Sequence, residues 1–245
     1  MAKIEIWVMD HRDADNQVEG SIIHLRKLVP PIDARGYADF RAHMGVWADH
    51  CVSNDPPDIV GFFGYRKYLW TPEWFDIAVG GPGSSNRHAP EWRAASPQVF
   101  DKYREFLTTW DGAGIEKELV LCDILQASPY YLEQNTIDDF SNSGSANDSA
   151  ALLEVMMKYG LYEGAPHKIY PYILITRWSV FDRMMREIEP MRLELHDRCK
   201  GLDTDNRAYK ARVMNYVMER VYPAWLIKSG LIFKELPWLH RGACY

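Results

Sequence analysis

The sequence predicts a single α/β domain, with the sheet over residues 1–176 and helices over 177–245. Short β-rich runs alternate with segments of helical periodicity, the signature of a sheet covered by helices. One run, Ile59 to Phe63, is apolar at nearly every position and so belongs to a strand buried on both faces. The last third carries apolar residues at helical spacing, and 245 residues fit one domain of ordinary size.

The elements follow in order. Lys3 to Met9 alternates and is β-rich, which makes a first strand, and a polar cluster from Asp10 to Asp15 follows it. Ile22 to Pro31 is ambiguous and stops at a Pro-Pro pair. Ala34 to Cys51 reads as a helix with Phe40, Met44 and Trp47 on one face. Pro56-Pro57 forces an extended approach to the strand beginning near Asp58. Thr71 to Pro97 is rich in Gly, Pro and Ser without periodicity, a pattern of functional or disordered loops. The Gly80 to Pro90 part of it is a candidate lid.

Ser96-Pro97 starts a helix to about Trp110. Glu118 to Ile124 (LVLCDI) is a strand, and Ser141 to Ser149 is a polar linker before a helix to about Tyr159. Tyr170 to Thr176 is a further strand, with Pro171 expected at its start or at a sheet edge. Ser179–Cys199 and Arg207–Ser229 are helical, interrupted by Pro190 and Pro223, with Gly201 and Gly230 as C-caps.

Composition bounds the function. Apolar residues make up 47% and aromatics 13%, enough for a real core, and the nine Trp and fourteen Tyr are as suited to packing as to sugar binding. A net charge of −6 argues against holding nucleic acid through a general field. Cys51, Cys122, Cys199 and Cys244 are far apart and form no metal spacing, which predicts free thiols in a reducing compartment. No apolar run is long enough to span a membrane. The expectation is a cytoplasmic protein, with peripheral membrane contact compatible with it.

The candidate site begins where DIVGFFGYRKYLW leaves its apolar run. Gly64, Tyr65, Arg66 and Lys67 fall at the carboxyl end of a predicted strand, where open α/β sheets bind ligands. Arg offers a bidentate fork and Lys a point charge, a pair suited to a diphosphate.

Three blocks resemble the DUF4422 family of capsular-polysaccharide and O-antigen glycosyltransferases. They are IEIWVMDHR; FRAHMGVWADHCVSNDPPDIVGFFGYRKYLW, which is similar to a family helix followed by "GLxHYRRYF"; and the run from His167 through NRAYKARVMNYVMERVYPAWLIKSGLIFKELP, which ends like the family's "xELP". Gly64 stands where the family has His, Lys67 where it has a second Arg, and Met218 where it has Ser.

The resemblance implies a GT-A-like fold with a nucleotide-sugar-binding Rossmann-type sheet, and transfer from a nucleotide-diphosphate sugar, foremost a UDP-sugar, to a glycan or lipid-linked acceptor. Asp10, His11, Arg12, Tyr65, Arg66 and Lys67 would bind the donor. The catalytic base would be Glu219, Asp123 or His167. Mn²⁺ or Mg²⁺ is compatible with such an enzyme, yet neither Asp13-Ala14-Asp15 nor Asp203-Thr204-Asp205 sits where a metal-binding triplet belongs, so no metal ligand is assigned. Two alternatives share the fold: a phage-type transferase acting on modified DNA bases, for which Arg87, His88 and Arg93 are a basic patch, and a non-catalytic nucleotide- or carbohydrate-binding protein.

Overall fold

The computed structural model describes residues 3–10, 16–18, 21–27, 38–64, 67–69, 98, 101, 104–105, 119–126, 154–155, 157–160, 167–198, 218, 221–222, 224–226, 228–235 and 238–240. In chain order the elements are β1 (Ile4–Asp10), β2 (Asn16–Gln17), β3 (Ile23–Lys27), α1 (Ala38–Ser53), β4 (Ile59–Gly64), β5 (Lys67–Leu69), β6 (Leu119–Gln126), β7 (His167–Arg177), α2 (Trp178–Arg198), β8 (Ile232–Glu235) and β9 (Trp238–His240).

Seven strands form one sheet in the order β2-β3-β1-β4-β7-β6-β8, and β5 pairs with β9 apart from it. β3 and β4 flank β1 in parallel. β7 runs antiparallel between β4 and β6, and β8 runs parallel to β6. Hence β1, β3, β4, β6 and β8 all end at one edge of the sheet. The chain winds from β1 outward to β3, then returns through α1 to β4 on the other side of β1. That reversal is a topological switch point, the place where open α/β sheets leave a crevice.

Period-2 alternation explains how both faces are covered. Val60, Phe62 and Leu174 pack under α1, α2 and the C-terminal helical residues, against Phe40, Val46, Phe181, Met185 and Tyr222. On the opposite face Ile6, Val8, Ile23, Leu25 and Phe63 are buried as completely. A parallel sheet reads as a continuous apolar run for this reason, and IVGFF in β4 is buried at all of its positions.

The α/β class read from the sequence is the class observed, and several boundaries move by a few residues. The ambiguous Ile22–Pro31 segment holds β3. The buried stripe of α1 is Phe40, His43 and Val46, while Met44 and Trp47 lie at the margin of the core. His43 counts as polar in a periodicity argument, which displaces the predicted stripe. α1 ends at Asn54, whose φ of 53° and N–H bond to the His50 carbonyl (3.0 Å) make it a left-handed cap.

Pro190 does not interrupt its helix: α2 runs unbroken from Trp178 to Arg198. The proline is exposed, so the carbonyl it leaves unbonded faces the solvent side. Gly230, with φ of 68°, does close its helix as expected. Two strands, β8 and β9, lie within the region read as helical, and β8 joins the main sheet beside β6. The Thr71–Pro97 loop, the Ser141–Ser149 linker, Pro223 and Gly201 lie outside the described residues.

Candidate functional site

Register fixes which residues share the carboxyl edge. Asp10, the last residue of β1, is level with Lys27, the last of β3, and Met9 is level with Gly64, the last of β4. The edge at the switch point therefore carries a carboxylate residue, a lysine and a glycine side by side on three parallel strands. His11 and Arg12 follow Asp10 in sequence, and Tyr65 and Arg66 follow Gly64; these four lie outside the described residues. Lys67 opens β5, level with His240 of β9.

The remaining candidates divide. Asp123 sits on β6 directly after a register shift and is paired with Tyr170 of β7. His167 begins β7, paired with Gln126. Both belong to the same edge, because β6 ends there and β7 starts there. Glu219, both Asp-x-Asp triplets and Arg87, His88 and Arg93 lie outside the described residues. Among the described residues no cluster of His, Cys, Asp or Glu has the makings of a metal site.

The register shift has a sequence cause. Cys122 pairs with Leu174 and the next residue, Asp123, pairs with Tyr170, so Pro171, Tyr172 and Ile173 are extra on β7. Proline has no N–H to give a ladder, so it falls where the ladder breaks. The expectation that Pro171 marks a strand start or edge is thus corrected: it lies inside an 11-residue strand, at a bulge. Reading the strand from Tyr170 also hid Lys168 from the sequence analysis, as reading Ile22–Pro31 as ambiguous hid Lys27.

An aromatic block supports the edge from below. The His43 ring lies 4.0 Å from Phe62 and 5.7 Å from Tyr222, centroid to centroid, and Tyr222 meets Phe40 edge-on at 4.5 Å. His43 is 1% exposed, and neither ring nitrogen has a hydrogen-bond partner among the described residues. Burial pushes its pKa down to about 3, so the ring is neutral. Burial likewise raises the Tyr222 phenol, whose O–H donates to Met185 Sδ at 3.1 Å. Neutral groups packed this way hold β4 without adding charge to the edge.

Charged clusters elsewhere serve the scaffold. At the opposite edge Lys3 Nζ donates to Asp55 Oδ2 at 2.8 Å, and His50 Nε2 meets Glu5 Oε2 at 2.8 Å. The Lys3 N–H donates to Asp58 at 2.7 Å, tying the start of β1 to the start of β4. A concavity of about 370 Å³ opens in the helical layer beside Tyr159, Glu187 and Lys228. Its polar groups are engaged within the protein: Glu187 accepts from Trp225 Nε1 at 2.8 Å, and Lys228 donates to the Tyr159 carbonyl at 2.7 Å.

No family model and no curated protein matches the chain. Among solved structures, the apo structure of the bifunctional glycosyltransferase WbbM superposes with a TM-score of 0.65 at 16% identity. The match covers 98% of this chain and 46% of that one, so this chain spans just under half the length of its neighbour. The α/β fold described here is therefore one found within a glycosyltransferase. No helix among the described residues is long and apolar enough to cross a membrane.

Proposed function

We propose that this chain is a glycosyltransferase of DUF4422 type, with a GT-A-like fold. In this reading it moves a sugar from a nucleoside-diphosphate donor, foremost a UDP-sugar, to a hydroxyl of a glycan or lipid-linked saccharide. The observation that carries the reading is the switch-point edge, where Asp10 and Lys27 are level, Gly64 is level with Met9 one residue before Asp10, and basic residues follow β1 and β4 in sequence. The fold shared with WbbM and the three family-like blocks support it from other directions.

The chemistry assigned to the edge is one displacement. The acceptor oxygen bonds to the anomeric carbon as the bond from that carbon to the diphosphate oxygen breaks. The nucleoside diphosphate leaves with the electron pair, and the acceptor proton passes to a carboxylate. Arg66 and Lys67, with Arg12, would offset charge developing on the leaving group, the form of electrostatic help that weighs most in such reactions. Asp123 is the base we favour over Glu219 because it stands on a strand at that edge.

The test is thermal stability against UDP-, GDP-, CMP- and dTDP-sugars, with and without Mn²⁺, for the wild type and Arg66→Ala. A donor at about 100 times its dissociation constant adds about 2.7 kcal/mol. The expected result is stabilisation by one nucleotide class, lost in Arg66→Ala, together with slow donor hydrolysis. No stabilisation by any donor would overturn the proposal. Stabilisation without hydrolysis or transfer would leave a binding protein.

A further inference from the structure

We infer that one face of the β6/β7 ribbon, the face carrying Asp123, Lys168 and Tyr170, binds the saccharide acceptor; the choice of ligand rests on the transferase reading above. Past the bulge, β6 and β7 continue as four pairs: Asp123↔Tyr170, Ile124↔Ile169, Leu125↔Lys168 and Gln126↔His167. β4 pairs with β7 only as far as Phe63↔Ile173. The four pairs therefore extend roughly 10 Å beyond the break with no β4 beside them. They form a two-stranded wall, with β5 in contact with β7, at the edge where β1, β3 and β4 end.

Directly opposed residues of an antiparallel pair share a face, and the face alternates along each strand. Asp123, Tyr170, Leu125 and Lys168 thus lie on one face, and Ile124, Ile169, Gln126 and His167 on the other. The two faces differ in chemistry. The second centres on an Ile–Ile pair, the composition of a packed surface. The first combines a carboxylate, a phenol and an ammonium with a single leucine. A saccharide needs such a set: acceptors and donors for its hydroxyls, and an aromatic residue for the apolar face of its ring.

The alternation also separates two residues that sequence alone leaves as equals. Asp123 and His167 stand at opposite ends of the ribbon and on opposite faces, so they do not serve one acceptor hydroxyl together. Lys168 and Tyr170 take their place beside Asp123 as acceptor-binding residues. A bulge next to this face is in keeping with the use of bulges to re-aim side chains at functional sites.

Methyl NMR of the Ile- and Leu-labelled protein tests the inference without requiring turnover. The probes are methyl glycosides of glucose, galactose, mannose and rhamnose, titrated to about 50 mM to reach millimolar affinities. At least one glycoside should shift the Leu125 methyls and leave Ile124 and Ile169 in place. Lys168→Ala and Tyr170→Phe should each weaken that binding about tenfold, the loss of one good hydrogen bond. Gln126→Ala, on the other face, should not change it, and melting temperatures identify any variant that fails to fold. Shifts confined to Ile124 and Ile169, or no shift with any glycoside, would overturn the assignment. Donor stabilisation of the same sample is read separately: if it persists while the ribbon stays silent, only this inference falls. If the ribbon responds while every donor fails, the transferase reading falls instead.

Discussion

Gly61 lies midway along β4, level with Ile6 of β1 and Ile175 of β7. A Cβ at this position would run into Ile6 Cδ1 and approach Ile175 Cγ1 to 3.2 Å. Both neighbours are buried, so neither can swing into solvent. Overpacking of this kind costs about 1–3 kcal/mol, while replacing glycine by alanine within a strand returns about 0.5–1 kcal/mol. Gly61→Ala should therefore lose about 1–2 kcal/mol net. Ile6→Val removes the methyl that the new Cβ meets and should cost about 1 kcal/mol by itself. In the double variant the vacated space accepts the added methyl. Its loss should then match Ile6→Val alone or fall below it, a coupling of about 1–2 kcal/mol. Urea unfolding followed by tryptophan fluorescence measures all three variants, with unchanged m-values as the check on two-state behaviour. Costs that simply add within about 0.5 kcal/mol would refute the close approach of β1 and β4 at this register.

The buried imidazole predicts a pH dependence. His43 titrates at about 3 in the folded protein, against an ordinary value of 6.5. The unfolded chain therefore takes up a proton below that value which the folded protein does not, and stability falls with pH. At pH 5 the loss from this group is about 2 kcal/mol. His43→Leu removes it, so the stability of the variant relative to wild type should rise by about that amount from pH 7 to pH 5 in paired denaturation curves. A constant gap would show that His43 is hydrated or paired. Two glycines make a second comparison. Gly160 and Gly230 have φ of 65° and 68°, but only at Gly160 would a Cβ meet another group, Lys228 Nζ at 2.9 Å. Gly230→Ala should cost about 1 kcal/mol of left-handed strain, and Gly160→Ala more in the same melting assay. Equal costs would mean that the flexible end of Lys228 moves aside without loss, its bond to the Tyr159 carbonyl contributing nothing measurable.

What the sequence made legible was whatever a local pattern could carry. IVGFF announces a doubly covered strand because each of its residues is apolar, and Gly230 announces a helix end because a left-handed cap favours glycine. β3 is hard to see because IHLRK is short and half polar, its partners being supplied by β1 rather than by neighbours in sequence. α2 passes through Pro190 because packing of Phe181, Met184, Ile188 and Met191 outweighs one lost backbone bond. At the site, the residues that precede the strand ends could be listed from sequence, but their company could not. That Asp10 stands level with Lys27, or that Asp123 shares a face with Lys168 rather than with His167, depends on register. Register is set by pairing across more than 40 residues of intervening chain in the second case.

Charge gives a last reason to place an anionic donor at the carboxyl edge of a protein with net charge −6. In the helical layer and along α1, cations stand against carboxylates: Arg26 on Asp49 at 2.7 Å, Lys158 on Glu194 at 2.7 Å, Arg186 on Asp182 at 2.9 Å and Arg198 on Glu154 at 2.9 Å. Such pairs cancel beyond roughly a Debye length and stabilise the fold only modestly where exposed. They leave little positive field to draw in a diphosphate. A field of that sign has to come from cations placed where the parallel strands stop, and the chain supplies Arg12, Lys27, Arg66 and Lys67 at or just after the ends of β1, β3 and β4. In the reading proposed above, strands that end at one edge gather cations spaced far apart in sequence into one local source, through which an acidic protein would receive a polyanion.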